Sequence, residues 1–273
     1  MNIGLIAGRG SFPRLLLHAA RQAGHEVAIV AIEGEALADF EAFSRSQGVT
    51  AFSWMPLGAL NACIATLKSA GVTQAVMAGH VKHTHIFGGL TPDPMLAQVL
   101  SRLPAKNADA LLSAVVMVLE QHGITVMDSI ALLPELVARA GVLTRRAPSD
   151  DARADFEFGC RIADTIAGLD IGQTVIVKDR AVVAVEGMEG TDVAIARAGQ
   201  LAGPGTRVVK VAKPAQDLRF DVPVVGIGTV EAMQKAGADA LTIDAGLTLI
   251  LDGDRFIEAA DRAGLAVVGR PRA

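Results

Sequence analysis

The sequence predicts an α/β protein in two parts: a first half built on a parallel sheet with helices on both faces, and a second half built on a mixed sheet. Three observations predict it. In the first half, short apolar runs of strand length alternate with segments of helical spacing, the pattern of βαβ units. In the second half, two apolar runs separated only by Lys178-Asp179-Arg180 read as a β-hairpin. Between the halves, GVLTRRAPSDD at residues 141–151 breaks the periodicity with Gly, Pro and charge. The domain boundary falls near it, between about residues 130 and 148, and is set at 132/133, giving domains 1–132 and 133–273.

Residues 3–7 form the first short apolar strand. Residues 13–23 have helical spacing, with Phe12, Leu16, Ala19 and Ala20 along one stripe, and Gly24 closes the helix. Residues 27–32 are a buried-type strand, 57–70 a helix closed by Gly71, and 72–78 a third strand. A helix over 109–121 is followed by Gly123 and a fourth strand at 124–127. Past the boundary, 149–166 is an amphipathic helix with Ser149 as its N-cap. The hairpin arms are 174–177 and 181–185, and a helix over 191–201 has Thr191 or Asp192 near its cap. Strands at 208–211 and 222–225, a helix near 229–236, strands at 240–243 and 247–251, a helix over 254–263 and a strand at 265–268 complete the chain. No internal repeat or low-complexity tract is present.

The chain has 273 residues, 51% of them hydrophobic and 20% charged, which is the composition of a globular protein rather than a disordered one. The 25 basic and 29 acidic residues give a net charge of −4, so there is no electrostatic footprint for nucleic acid. Phosphate recognition must then come from a few placed cations and backbone N–H groups. Cys63 and Cys160 lie far apart with no metal-type spacing and read as reduced, buried thiols of a cytosolic protein. The first thirty residues lack the pattern of a signal peptide, and no apolar run approaches 18 residues. The expected location is therefore the cytoplasm, with contact at a membrane surface left open.

The densest charge cluster lies in RVVKVAKPAQDLRFDVPVVG, residues 207–226, and comprises Lys213, Asp217, Arg219 and Asp221. From Asp217 to Val222 charged and apolar residues alternate. In extended chain this puts Asp217, Arg219 and Asp221 on one face and Leu218, Phe220 and Val222 on the other. Two readings stand: a site for an anionic substrate with a divalent cation, or an ion-pair face on an edge strand. A unit charge about 4 Å from a phosphate oxygen is worth about 4 kcal/mol at an effective dielectric of 20. Lys213 and Arg219 thus attract a diphosphate, while Asp217 and Asp221 repel it by a similar amount. Carboxylates at such a site imply Mg²⁺ or Mn²⁺ between them and the substrate, or a carboxylate beside an attacking water.

Three loops are further candidates. GLIAGRGSFP, residues 4–13, is a strand, a glycine turn and a helix start, so Gly8, Gly10, Ser11 and Phe12 are candidate ligand contacts at a helix N-terminus. With Glu33 at the end of the second strand it looks like a dinucleotide fingerprint, but Pro13 holds the place of the third glycine. A tight turn in a doubly wound sheet is the alternative. AGHVKHTH, residues 78–85, follows the third strand, at the strand end where open sheets bind ligands. Gly79, His80 and Lys82 are candidate substrate contacts there; metal ligation by the histidines and a solvated loop are the other readings. EGMEGTD, residues 186–192, joins a strand to a helix, and Glu189, Gly190, Thr191 and Asp192 are candidate contacts. Acidic residues also stabilise any helix N-terminus, by roughly 0.3–1 kcal/mol.

IGLIAGRGSFP, AVMAGHVKH, KNADALL (residues 106–112), GVLTRRAPSD, DIGQTVIVKDRAVVAVEGMEGTD and VVKVAKPAQDLRFDVPVVG, taken together and in this order, resemble the bacterial UDP-2,3-diacylglucosamine pyrophosphatases of the LpxI type, which act in lipid A biosynthesis. The resemblance covers nearly the whole chain. It implies a Rossmann-like N-terminal domain and a distinct catalytic α/β C-terminal domain. It also implies divalent-metal-dependent hydrolysis of UDP-2,3-diacylglucosamine to UMP and 2,3-diacylglucosamine 1-phosphate (lipid X), with water attacking the sugar-side phosphorus. A homodimer, and transient contact with the inner membrane surface, are implied as well. The family's functional aspartate maps onto Asp221 in RFDVP. Asp221 or Asp217 would hold the metal or the water, and Lys213 and Arg219 would neutralise phosphoryl charge. Two rivals remain: an NAD(P)-dependent oxidoreductase, raised by the glycine loop and Glu33, and a non-catalytic nucleotide-sugar or lipid-binding module.

Overall fold

The computed structural model describes residues 1–81, 91–103 and 107–272. Two compact units make up the chain, Met1–Leu133 together with Asp217–Asp221, and Pro134–Gln216 together with Val222–Ala273. The first unit is therefore discontinuous in sequence. Among the described residues no helix is long and apolar enough to cross a membrane.

The first unit carries strands β1 (Asn2–Ala7), β2 (Glu26–Ile32), β3 (Ala51–Met55), β4 (Gln74–Ala78) and β5 (Thr125–Val126). They form a parallel sheet in the order β3-β2-β1-β4-β5. Its helices are α1 (Phe12–Gln22), α2 (Phe40–Ser46), α3 (Leu60–Ser69), α4 (Pro94–Arg102) and α5 (Ala108–Gln121). Ala28, Val30 and Ala75 meet Leu60, Ile64 and Leu67 of α3, Leu96 of α4 and Val116 and Leu119 of α5 on one face of the sheet. Ile3, Leu5, Ile29 and Val76 alternate with those positions and are buried on the other face. This is the doubly wound parallel sheet the periodicity predicts. β3, α2 and α4 add to the predicted elements. The cue for α4 is Asp93-Pro94: the Asp93 carboxylate accepts the Leu96 N–H at 2.8 Å, and Pro94 opens the helix.

The second unit begins with a short 3₁₀ turn (Pro134–Leu136) and strand β6 (Gly141–Val142), then α6 (Asp150–Gly168), capped by the Ser149 hydroxyl as predicted. Next come β7 (Thr174–Lys178), β8 (Ala181–Val185), α7 (Thr191–Ala202), β9 (Arg207–Lys210), β10 (Val224–Val225) and α8 (Ile227–Ala236). β11 (Ala240–Asp244), β12 (Leu249–Ile250), α9 (Asp254–Arg262) and β13 (Ala266–Arg270) follow. The main sheet runs β6-β13-β11-β9-β7-β8. β9, β11 and β13 are parallel, and β7 is antiparallel to both β8 and β9, so the sheet is mixed, as expected. Phe156, Ala163 and Ala167 of α6 cover one face against Val175, Val177 and Val209. Ile195, Met233 and Phe256, from α7, α8 and α9, cover the other against Ile176, Val208 and Leu241.

The β7–β8 hairpin turns at Asp179 and Arg180, with φ of 52° and 58°. That left-handed pair suits the twist of the two strands, and it leaves both N–H groups pointing inward. Asp155 of α6, fully buried, accepts them at 3.1 and 2.6 Å and also pairs with Arg207 at 2.9 Å.

Residues 217–221 depart from the extended strand the alternation predicts. The Asp217 carboxylate accepts the N–H of Arg219 at 3.1 Å, and the Asp217 carbonyl accepts the N–H groups of Phe220 at 3.3 Å and Asp221 at 3.0 Å. The segment is a turn. A short acidic side chain capturing the backbone two residues on competes with a strand ladder, and here it wins.

Candidate active site

In the first unit, neighbouring strands β1 and β4 send their connections to opposite faces of the sheet, which makes the gap at their carboxyl ends the switch point. The two loops there are zipped together. Gly8 N–H donates to Ala78 O at 2.8 Å, Arg9 N–H to His80 O at 2.9 Å, and His80 N–H to Arg9 O at 3.2 Å. A Cβ on Gly8 would meet His80 O at 2.8 Å, and one on Gly79 (φ 86°) would meet Arg9 O at 2.5 Å. Those two glycines serve the approach of one loop to the other, not the approach of a dinucleotide. Gly10 (φ 100°) faces open space, Ser11 is exposed and makes no side-chain cap, and Phe12 turns inward and is buried. Glu33 is exposed, whereas Glu35, two residues on, is 2% exposed and pairs with Arg9 at 3.2 Å. Lys82, His83, His85 and Lys106 lie outside the described residues.

The turn at 217–221 is anchored in the same unit. Ser129, buried, donates its N–H to Leu218 O at 2.8 Å, and its hydroxyl lies 2.9 Å from Arg219 O and 2.6 Å from Met77 O at the end of β4. Phe220 packs against the core beneath α3, α4 and α5. Arg219 forms a fork with Asp217, at 2.9 Å from Nε and 2.7 Å from a terminal nitrogen, and its other terminal nitrogen meets Glu120 at 3.0 Å. The hydrogen bonds from Arg219 hold the Asp217 carboxyl below the usual carboxylate range, and Asp217 in turn holds the guanidinium firmly charged. Three of the five guanidinium N–H donors are engaged, which leaves two for a ligand. Asp221 lies one helical turn from Asp217, on the same anchored loop.

In the second unit the carboxyl ends of parallel β9, β11 and β13 collect charge. Lys213, just past β9, pairs with Asp170 at 2.7 Å. Its loop is pinned by fully buried Asp244 at the end of β11, which accepts the Ala212 N–H at 2.8 Å and Arg270 Nε at 2.7 Å. Arg272 adds a bond to Lys213 O at 3.0 Å. At the same edge Lys210, 7% exposed, donates to Thr191 Oγ1 at 2.7 Å, and Thr191 donates to Glu186 at 2.9 Å. Gly190 (φ 89°) is the N-cap of α7, and nothing lies within 4 Å of where its Cβ would be. Glu189 bonds its own segment's backbone and Arg197 at 2.6 Å, which lowers its carboxyl pKa. Asp192 is exposed in the first turn of α7.

The predicted residues thus fall into three sets. Gly8, Gly10, Ser11, Phe12, Gly79 and His80 lie at the carboxyl ends of β1 and β4, and Asp217, Arg219 and Asp221 share one loop, which Ser129 and Glu120 contact, in the first unit. Lys213, Glu189, Gly190, Thr191 and Asp192 lie at the carboxyl edge of the second. Glu35, Glu120, Ser129, Glu186, Lys210 and Asp244 escaped the sequence reading. Each is a polar residue whose burial or partner is set by distant chain, and the only available signal was position: at or past a strand end for all but Glu120, which lies in the last turn of α5.

Among the described residues no three His, Cys, Asp or Glu side chains converge as a metal cage. Both Asp217 oxygens are taken by Arg219. Such a donor set fits a cation that keeps its waters and is shared with substrate phosphates through one carboxylate, the habit of Mg²⁺, rather than one enclosed by protein.

The chain matches family models along almost its full length. Residues 2–136 match the LpxI N-terminal domain and residues 139–268 the LpxI C-terminal domain. It is 30% identical over 278 aligned positions to the UDP-2,3-diacylglucosamine pyrophosphatase LpxI of Caulobacter vibrioides, covering 98% of this chain and 96% of that one. Fold, motif order and full-length kinship converge: the chain belongs to the LpxI family.

Proposed function

We propose that this protein hydrolyses the diphosphate of UDP-2,3-diacylglucosamine, releasing UMP and 2,3-diacylglucosamine 1-phosphate. The observation that carries the reading is the end-to-end kinship with a pyrophosphatase of that substrate. A water oxygen bonds to the sugar-side phosphorus, the bond from that phosphorus to the bridging oxygen breaks, and UMP leaves with the bridging oxygen. Asp221 orients the water or would hold a divalent cation; bound Mg²⁺ or Mn²⁺ would neutralise charge on the phosphoryl oxygens. Arg219 supplies its two remaining donors to those oxygens. Asp217 acts by aiming Arg219, a role its fork geometry supports better than direct metal ligation. In the first unit, the loops bearing Gly8, Gly10, Ser11, Gly79, His80 and Lys82 hold part of the nucleotide sugar. A cytoplasmic homodimer visiting the inner membrane face to collect its two-chain substrate completes the reading.

Two measurements test it. UMP release from UDP-2,3-diacylglucosamine with added Mg²⁺ or Mn²⁺ should fall at least about a hundredfold in Asp221→Ala while its circular dichroism stays native. Full activity in that folded variant sinks the Asp221 role. Turnover in ¹⁸O-water should place the label in the sugar phosphate; label in UMP overturns the direction of attack.

A further inference from the structure

Lys210 is the buried cation that the reaction above leaves unused. It ends β9, is 7% exposed, and among the described residues its ammonium makes one hydrogen bond, to the Thr191 hydroxyl at 2.7 Å. Among the described residues no carboxylate comes within ion-pair distance of it; Glu186 is held one hydroxyl away. An ammonium carries three donors, so two are left where water is largely excluded, an arrangement that costs stability unless something compensates it.

Its surroundings are fixed. Glu186, buried, accepts the Thr191 hydroxyl at 2.9 Å and the Gln173 N–H at 3.3 Å. Because that hydroxyl donates to Glu186, it presents a lone pair to Lys210 and holds the ammonium in place. The ammonium therefore sits against the first residue of α7, a 12-residue helix whose N-cap, Gly190, has no side chain to satisfy the first-turn N–H groups. Over Gly190 the space is open for 4 Å. A helix N-terminus concentrates partial positive charge and unpaired donors, and the buried ammonium adds a full charge to the same spot. Of the nearby acids, Glu189 is tied to Arg197, Asp192 is exposed on the helix surface, and buried Glu186 is kept from direct contact with the ammonium by the Thr191 hydroxyl between them.

We propose that Lys210, together with the first-turn N–H groups of α7, forms a subsite for a phosphoryl oxygen of the substrate, with Thr191 and Glu186 as its positioning residues. The inference rests on the diphosphatase reading for the source of the phosphoryl group. A tetrahedral phosphoryl group, with several acceptor oxygens, is the ligand that matches donors converging from a side chain and a helix start.

The test uses the full-length protein with glucosamine 1-phosphate and UMP as separate probes. Lys210→Met removes the charge at nearly constant volume and is expected to fold, because an apolar replacement relieves a buried charge. Affinity by calorimetry should fall roughly ten- to a hundredfold for one probe and stay unchanged for the other. A loss for glucosamine 1-phosphate assigns the subsite to the sugar side, and a loss for UMP assigns it to the nucleotide side. A folded Lys210→Met that binds both probes like the wild type overturns the proposal. Amide NMR of the wild-type protein tests it without any variant: the probe should shift the Thr191 and Asp192 N–H signals, and unmoved signals at saturation overturn it too. Release of UMP from UDP-2,3-diacylglucosamine is followed on the same preparations. A wild-type protein that binds through Lys210 but turns nothing over sinks the diphosphatase reading alone, whereas full turnover with unchanged binding in Lys210→Met sinks the subsite alone.

Discussion

At the scale of single residues, the site is governed by who holds whom. In the proposed reaction Arg219 would meet a phosphate with two sides of its guanidinium plane already fixed by Asp217 and Glu120. Removing the guanidinium should let the Asp217 carboxyl titrate at a higher pH, which ¹³C NMR of Arg219→Ala would show. The sign for stability follows: a carboxyl held low by its partner contributes fully above its unfolded value near 3.9 and loses that contribution as pH falls through the folded value. The difference in urea stability between wild type and Arg219→Ala should therefore be flat from pH 7 to about 5 and shrink below about pH 4. Cysteine behaves oppositely. Burial pushes Cys63 up to about 12 and Cys160 up to about 11, so neither forms a thiolate near neutrality. A thiol reagent at pH 8 should label neither in the native protein and both after unfolding; prompt native labelling would contradict the burial. The residue types at the candidate site were legible from charge density alone, but their partners were not. No local pattern tells that Glu120 lies beside Arg219, ninety-nine positions away, or that Ser129 holds its carbonyl.

At the scale of elements, the hairpin at Asp179 and Arg180 depends on a carboxylate from a helix. Asp155 satisfies two left-handed N–H groups and a buried arginine at once, so Asp155→Ala strands both N–H groups and leaves Arg207 with Asp239 as its remaining close carboxylate. It should cost about 3–5 kcal/mol in urea unfolding, and a loss under about 1 kcal/mol would show that water replaces it. Most strands and helices were readable because apolar spacing and closing glycines carry them, as at Gly24, Gly71 and Gly123. The segment from Asp217 to Val222 was misread for a physical reason: its alternation is real, but alternation specifies a strand only when a neighbour strand accepts the backbone. Here the backbone is spent on Asp217 itself and on Ser129. The Asp93-Pro94 start of α4 was written in the sequence as a cap followed by a first-turn proline, whereas β3, AFSWM, interrupts its apolar run with Ser53 and offers no clean period.

At the scale of the whole molecule, one unit is assembled from two separate stretches of the chain. Residues 217–221 are reached from the second unit and left into it again, yet they belong to the first. Gly79→Ala forces a left-handed backbone onto a side chain that would also strike Arg9 O, at roughly 1–3 kcal/mol for the strain alone. Hydrogen exchange on that variant should lose protection at β1, β4, Ser129 and Asp221 together, while β9 and β11 keep theirs; loss at 217–221 in step with β9 would contradict its membership of the first unit. The same discontinuity sets an order of events on the ribosome. About ninety residues separate Leu133 from Asp221, and at 5–20 residues per second the nascent first unit waits roughly 4 to 18 s for the ring of Phe220 that fills its flank. Throughout that interval a sticky hollow is on display, and the peptide that plugs it arrives only when translation is four-fifths done.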